Sequence, residues 1–212
     1  MRKAVRVVAL AGALALALHG LSFAEPGGDQ GAKFQLVGGA SDSVDPENPT
    51  NDVLRFENTT TAAAATRDIR KGTKVEQLDN QVQVRYYFQS PKTCTFAGGT
   101  PRIQLAIDTD GDGSSNGNAF GYLGDQPFGG GCPPNTWDIE DMTNAIPKWD
   151  ITQFGGGFTN TWDQMEAFFG GFPNHQVLRG ALIEDPGGNG VTFYDSLVIG
   201  NRDVNTNSDT AG

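Results

Sequence analysis

Apolar and polar residues alternate along two segments near the middle of the chain, the pattern of strands that bury one face. In residues 81–88, the alternation places four side chains on one face: Val82, Val84, Tyr86 and Phe88. In residues 102–107, Ile103, Leu105 and Ile107 alternate with more polar residues. Residues 119–123 read as the returning strand, so the second segment is predicted to form a hairpin with a polar tip at 108–118.

Weaker strand patterns occur on both sides of this region, between clusters of Gly, Asp, Asn and Pro. Strands are predicted at 34–37, 53–57, 137–142, 149–154, 176–184 and 191–199. Residues 41–52 are predicted to form a loop, and residues 59–66 fit either a helical turn or a mobile connection.

The last predicted strand carries a carboxylate in an apolar pattern. Asp195 alternates in step with four apolar residues that are expected to face the core: Val191, Phe193, Leu197 and Ile199. A carboxylate there is costly unless it is paired, hydrogen-bonded or bound to a metal. Tyr87 and Tyr194 fall on the polar alternation of their strands and are expected to project from a sheet face.

One helix is predicted after residue 160. Thr161 is a good N-cap, and Gln164 completes a capping box three residues later. Trp162, Met165 and Phe169 share one face, and Gly170-Gly171 ends the helix. Together these elements predict an all-β fold, an antiparallel jelly-roll-like β-sandwich with one short helix, over residues 34–201. Residues 202–212 are predicted to be a polar tail.

The N-terminal segment has the features of a secretory signal peptide. A basic start is followed by the short apolar run 7–18 and by small residues at Ser22 and Ala24, which predicts cleavage after residue 24. Residues 25–33 are expected to be a flexible leader. The apolar run is too short to span a bilayer, and no second one follows, so we expect a secreted protein without a membrane span.

Charge narrows the classes of partner. Removal of residues 1–24 leaves 12 basic and 25 acidic residues, a formal charge of −13. Such a surface repels nucleic acid and anionic membranes, and it suits an extracellular protein or one that binds cations.

The two cysteines, Cys94 and Cys132, are expected to form a disulfide in an oxidising compartment. The bridge closes a loop of 37 intervening residues, which contributes about 4 kcal/mol in the chain-entropy model. A metal pair or reactive thiols are the alternatives, and no nearby histidine supports them.

The strand Phe193-Tyr194-Asp195-Ser196-Leu197-Val198-Ile199 is similar to the last strand of jelly-roll carbohydrate-binding modules and galactose-binding-like domains. In many of those proteins, the aspartate helps to hold a structural calcium beside an early strand that carries a glutamate. The resemblance implies that Asp195 and Glu57 are candidate calcium ligands here.

A second candidate calcium site comes from the residues themselves. Asp108, Asp110 and Asp112 occupy alternate positions and are followed by Gly113, as in the first half of an EF-hand loop. Ala119 stands where such a loop has its bidentate glutamate. The alternative is a solvated hairpin tip, where Asp and Gly are common.

Catalytic motifs are incomplete. Asp138 and Glu140 lie on one face of a predicted strand, but they do not complete the carboxylate pattern of laminarinase-like glycosidases. A serine hydrolase triad would have to use His175, but the sequence contains no Gly-x-Ser-x-Gly elbow. We therefore expect no catalytic residue.

Aromatic residues are the better lead to a ligand site, because sugar rings stack on flat aromatic faces. The candidate contacts are Trp137, Trp149, Tyr87, Gln83 and Arg85. The most favoured function is non-catalytic carbohydrate binding with a structural calcium. A structural or adhesive protein that binds another extracellular protein is the alternative, and a secreted glycoside hydrolase is the third hypothesis.

Overall fold

A computed structural model describes residues 34–57, 60–90, 92–93, 101–124, 131–132, 134–186, 190–200 and 203–204. The predicted signal peptide and leader lie outside these ranges, as do all but two residues of the predicted tail.

The described elements are fourteen strands, one α-helix and two short 3-10 turns. The strands are β1 Gln35–Gly38, β2 Ala40–Val44, β3 Asp52–Glu57, β4 Ala63–Asp68, β5 Val82–Phe88, β6 Lys92–Thr93, β7 Arg102–Asp108, β8 Gly117–Tyr122, β9 Gly131–Cys132, β10 Trp137–Asp141, β11 Trp149–Asp150, β12 Gln176–Glu184, β13 Val191–Ile199 and β14 Asp203–Val204. The helix α1 spans Trp162–Phe169, and the 3-10 turns span Val75–Leu78 and Thr152–Phe154.

Two antiparallel sheets form the sandwich. Sheet 1 has the order β1-β4-β12-β7-β8-β11, and sheet 2 has the order β10-β5-β13-β3-β2, with β14 beside β13. Strands β6 and β9 form a separate small pair.

Eight of the strands are paired in the nested order of a jelly roll. The innermost pair is β7–β8, followed outward by β5–β10, β4–β12 and β3–β13. Successive pairs lie in alternate sheets. This is one long hairpin wrapped into two layers, the jelly-roll arrangement. The predicted fold class is confirmed.

The core lies between the two sheets, and it contains the apolar faces predicted from alternation. The inward side chains of β5 and β7 are buried as expected: Val82, Val84, Tyr86, Phe88, Ile103, Leu105 and Ile107. They pack with inward residues of the neighbouring strands, including Phe56, Ala65, Leu182, Tyr194 and Leu197. Alternation identified these strands because each directs every second side chain into the core.

The predicted helix is also confirmed. The Thr161 hydroxyl accepts the Gln164 N–H at 3.2 Å, and the Gln164 side chain accepts the Thr161 N–H at 3.0 Å. Trp162, Met165 and Phe169 are fully buried. The Trp162 ring contacts Trp149 edge-to-face at 5.3 Å between centroids, which attaches the helix to the core.

Three segments differ from the prediction. Residues 40–44, placed largely in a loop, form β2 and pair with β3. Residues 63–68 form β4, which pairs with β1 on one side and β12 on the other, whereas residues 59–66 were predicted as a helical turn or mobile connection. Alanine has low strand propensity, but strand formation depends mainly on the neighbouring strands. The predicted strand 149–154 is shortened to β11 and a 3-10 turn.

A bulge in β13 overturns the predicted orientation of its side chains. Its register against β5 shifts between Asp195 and Val198, and Ser196 has a positive φ of 48°. Tyr194, expected to project outward, therefore belongs to the buried core, whereas Phe193 and Asp195 lie on the outer face. Beyond the bulge, Leu197 and Ile199 again point inward. A regular two-residue period cannot anticipate an inserted residue.

Replacement of Ser196 by valine tests the importance of this bulge. A β-branched residue is strongly disfavoured at positive φ, so Ser196→Val is expected to lower the free energy of unfolding by about 1–2 kcal/mol. Ser43→Val, in the edge strand β2, is the matched control and is expected to be close to neutral. Urea unfolding measures both, and equal small effects would contradict the role of the bulge.

Candidate functional site

The outer face of sheet 2 brings together four of the five predicted ligand contacts. Gln83, Arg85 and Tyr87 lie at alternate positions of β5, and Trp137 of β10 is the direct cross-strand partner of Tyr87. Gln83 is exposed, and Trp137 and Arg85 are partly exposed. Ile139, the partner of Arg85, has 59% of its surface exposed.

An aromatic cluster forms the middle of this face. The Tyr87 ring lies 5.4 Å from the Trp137 ring and 6.0 Å from the Phe193 ring between centroids. Val53 completes the buried part of the cluster. Tyr87 is almost fully buried by these neighbours, so Trp137 is the aromatic side chain that remains accessible to a ligand.

Arg85 joins the aromatic cluster to the carboxylate of Asp195. Its guanidinium carbon lies 4.1 Å from the centroid of the Trp137 ring, a cation–π contact. Its Nη1 donates to Asp195 Oδ2 at 2.8 Å, and Asn51 Nδ2 lies 3.4 Å from the same oxygen. The free-energy cost of burying the Asp195 carboxylate is therefore offset by a cation and by hydrogen bonds.

The loop of residues 45–51 is held against this face by Asp45. The carboxylate accepts backbone N–H groups of Glu47 at 2.8 Å and Asn48 at 3.3 Å, and it accepts the Trp137 indole N–H at 3.2 Å. Burial opposes ionisation, but hydrogen bonds from Glu47, Asn51 and Trp137 outweigh it and hold the pKa of Asp45 below its usual range. Sequence reasoning missed Asp45; its only signal is an Asp that begins a turn-rich segment.

The fifth predicted contact, Trp149, lies elsewhere. It belongs to β11 of sheet 1 and is fully buried between the sheets. Its indole N–H donates to the Met142 carbonyl at 2.8 Å. The ring of this candidate ligand contact thus faces the core and is closed to solvent.

Glu57 and Asp195 are not brought together. Glu57 pairs with Arg55 at 2.8 Å, and its side chain is 47% exposed. Glu57 lies opposite Val191 in β13, four positions before Asp195. That offset corresponds to roughly 13 Å along a strand. The calcium site that the family resemblance implies for this pair therefore has no geometric support.

Asp108, Asp110 and Asp112 do converge at the β7–β8 hairpin, with ligand oxygens within 4.8 Å of one another. The buried Asp108 carboxylate accepts the N–H groups of Gly111 at 2.7 Å and Gly113 at 2.8 Å. Burial raises its pKa, but hydrogen bonds from the Gln176 side chain and this backbone outweigh that effect and keep the pKa well below its usual range. The loop thus brings three carboxylates close together, and carboxylate oxygens are ligands that Ca²⁺ prefers.

The residues considered for catalysis have structural partners. Asp138 accepts the Tyr86 hydroxyl at 3.1 Å, and Glu140 forms a buried ion pair with Lys148. His175 is buried, with Nδ1 2.7 Å from the Phe172 carbonyl and Nε2 3.2 Å from the Val75 N–H. These contacts fix the His175 ring within the fold.

The predicted disulfide stays a prediction, because Cys94 lies outside the described residues. The backbone of Cys132 pairs with Lys92 in the β6–β9 pair.

The sequence matches no family model, and no curated protein matches it at a significant level. None of the helices in the described ranges has the length and apolar character needed to cross a membrane.

Protonation of Asp45 is expected to lower the free energy of unfolding. Because its pKa is lowered on folding, Asp45 stabilises the protein above its unfolded-state pKa, and this contribution is lost as the pH falls through the folded-state value. Asp45→Asn is expected to cost about 1.5–3 kcal/mol at pH 7, the range for hydrogen bonds to a charged group.

The measurement is urea unfolding at pH 7 and at about pH 3, which lies below the unfolded-state pKa of aspartate. The wild type should lose more stability between the two than Asp45→Asn. Asp42→Asn, at an exposed position of β2, is the control. An identical pH dependence in wild type and Asp45→Asn would contradict this role.

Proposed function

We propose that this protein is a secreted, non-catalytic binding protein that recognises carbohydrate on the outer face of sheet 2. The observation that carries the proposal is the convergence of Trp137, Arg85 and Gln83 beside a rigid aromatic cluster. An accessible ring beside polar side chains is the combination that a sugar requires, since its C–H faces are apolar and its hydroxyls need hydrogen bonds.

Preorganisation supports the same proposal. Trp137 is held by Asp45 through its indole N–H and by Tyr87 through ring contact. Arg85 covers part of the indole, so a sugar packs on the ring beside Arg85. The sugar hydroxyls then accept hydrogen bonds from the guanidinium N–H groups. A side chain already fixed in position loses little conformational entropy on binding.

Removal of the accessible ring tests the carbohydrate proposal. A glycan array identifies a ligand for the wild type, and calorimetric titration then measures Trp137→Ala and Gln83→Ala. Trp137→Ala is expected to weaken binding at least about tenfold, equivalent to 1.4 kcal/mol. Gln104→Ala, on the outer face of sheet 1, is the matched control for Gln83→Ala. Full affinity in a folded Trp137→Ala variant would overturn the proposed site.

A specific observation favours the second candidate, binding of another extracellular protein. Ile139 is exposed beside Trp137 and Arg85, and a Trp and Arg next to an apolar side chain are typical of interface hot spots. A wild type that binds no glycan, together with loss of a protein partner in Ile139→Ser, would support this function. The glycoside hydrolase hypothesis gains no support from Asp138 and Glu140, given their structural contacts.

We also propose that the β7–β8 hairpin binds a structural calcium through Asp108, Asp110 and Asp112. The support is the short separation of their oxygens and the preformed loop around Asp108. The ion would neutralise mutual repulsion among these carboxylates at the tip.

Calcium is therefore expected to raise the melting temperature. At a hundredfold excess over the dissociation constant, the stabilisation is about 2.7 kcal/mol. Asp110→Asn and Asp112→Asn should remove this response while the calcium-free stability changes little, since both side chains are exposed. Asp42→Asn is the control that should keep it. Identical wild-type melting curves in calcium and in chelator would refute the site.

A further inference from the structure

Glu140 and Lys148 form an ion pair where the two sheets meet at one edge. Glu140 belongs to β10, the edge strand of sheet 2, and Lys148 immediately precedes β11, the edge strand of sheet 1. Their side chains are only 6% and 3% exposed. Lys148 Nζ is in direct contact with Glu140 Oε1. An amine and a carboxyl group are thus held together away from water.

The backbone fixes both partners. The Gly124 N–H donates to Glu140 Oε2 at 2.7 Å, so the two carboxyl oxygens have different environments. The Lys148 N–H donates to the Asn160 carbonyl at 3.1 Å, and its own carbonyl accepts the Tyr122 N–H at 3.1 Å. Groups that are held in contact react with the high effective concentration of an intramolecular pair.

Condensation of the two groups would remove both buried charges. Moving an ammonium and a carboxylate out of water is costly, and their attraction only partly compensates for it. Transfer of one proton from Lys148 to Glu140 gives a neutral amine beside a carboxylic acid. These are the forms that condense.

We propose that Lys148 and Glu140 condense to an intramolecular isopeptide bond. Lys148 Nζ attacks the Glu140 carboxyl carbon, and Oε2 carries the developing negative charge, stabilised by the Gly124 N–H as in an oxyanion hole. The carbon–Oε1 bond then breaks, and the departing hydroxyl takes a proton from nitrogen. The products are one amide and one water molecule, with Oε2 as the amide carbonyl oxygen.

Such a bond would tie the two sheets together covalently. It joins the edge strand of sheet 2 to the residue that enters the edge strand of sheet 1. It also replaces two buried charges with a neutral amide whose carbonyl keeps its hydrogen bond to Gly124. An exported domain gains a cross-link at this edge that reducing conditions cannot break.

Intact mass spectrometry of the purified, denatured and reduced protein tests the proposal. The wild type is expected to be lighter than its sequence mass by one water molecule, and Lys148→Arg is expected to have its full sequence mass. A wild type at full sequence mass would overturn the proposal, and this result does not depend on whether the variant folds.

Tryptic digestion locates the bond. Lys148 is the only lysine or arginine between Arg102 and Arg179. The cross-linked protein should therefore give the fragment 103–179 uncleaved after Lys148 and lighter by one water. Cleavage after the exposed Lys71 is the internal control. Complete cleavage after Lys148 in the denatured wild type would contradict the bond.

Discussion

The path of β13 is the constraint on which the rest of this structure depends. This strand lies between β5 and β3 in sheet 2 and supplies side chains to both of its faces. Tyr194 and Leu197 pack in the core, and Phe193 and Asp195 build the outer face. The bulge at Ser196 makes this division possible, because an inserted residue reverses the facing of all residues beyond it. Without it, either Leu197 and Ile199 or Tyr194 would leave the core.

Distant parts of the chain meet on the outer face of sheet 2 through ionic, hydrogen-bond and aromatic contacts. Arg85 contacts both the Trp137 ring and the Asp195 carboxylate, and Asn51 lies within 3.4 Å of both Asp195 and Asp45. Each group limits the rotation of its neighbour. A ligand that bound this face, as we propose, would meet side chains already held in place and would cost them little conformational entropy.

Sequence patterns predicted the parts of the fold in which one local rule operates. Alternation identified β5 and β7, and the capping box identified the helix. Alternation failed to identify β4. Its alanines carry almost no strand signal, and its pairing with β1 and β12 decides its conformation. The candidate site shows the same division: Tyr87 and Arg85 followed from alternation, whereas Trp149 required knowledge of the packing. Asp45 depends on contacts between loop and sheet that no local pattern encodes.

Two buried carboxylates, Glu184 and Glu140, show how the sandwich accommodates charge in its interior. The Tyr194 hydroxyl donates to the buried Glu184 at 2.5 Å, and burial together with this carboxylate raises the pKa of Tyr194 well above its ordinary value. Tyr194 therefore stays protonated and acts as a lasting donor. Glu140 faces an amine instead, and an amine can become a nucleophile once it loses a proton. The two buried carboxylates thus differ in their partners. The Tyr194 hydroxyl gives Glu184 a hydrogen bond that stabilises the fold, whereas the Lys148 amine gives Glu140 a contact that is able to become covalent.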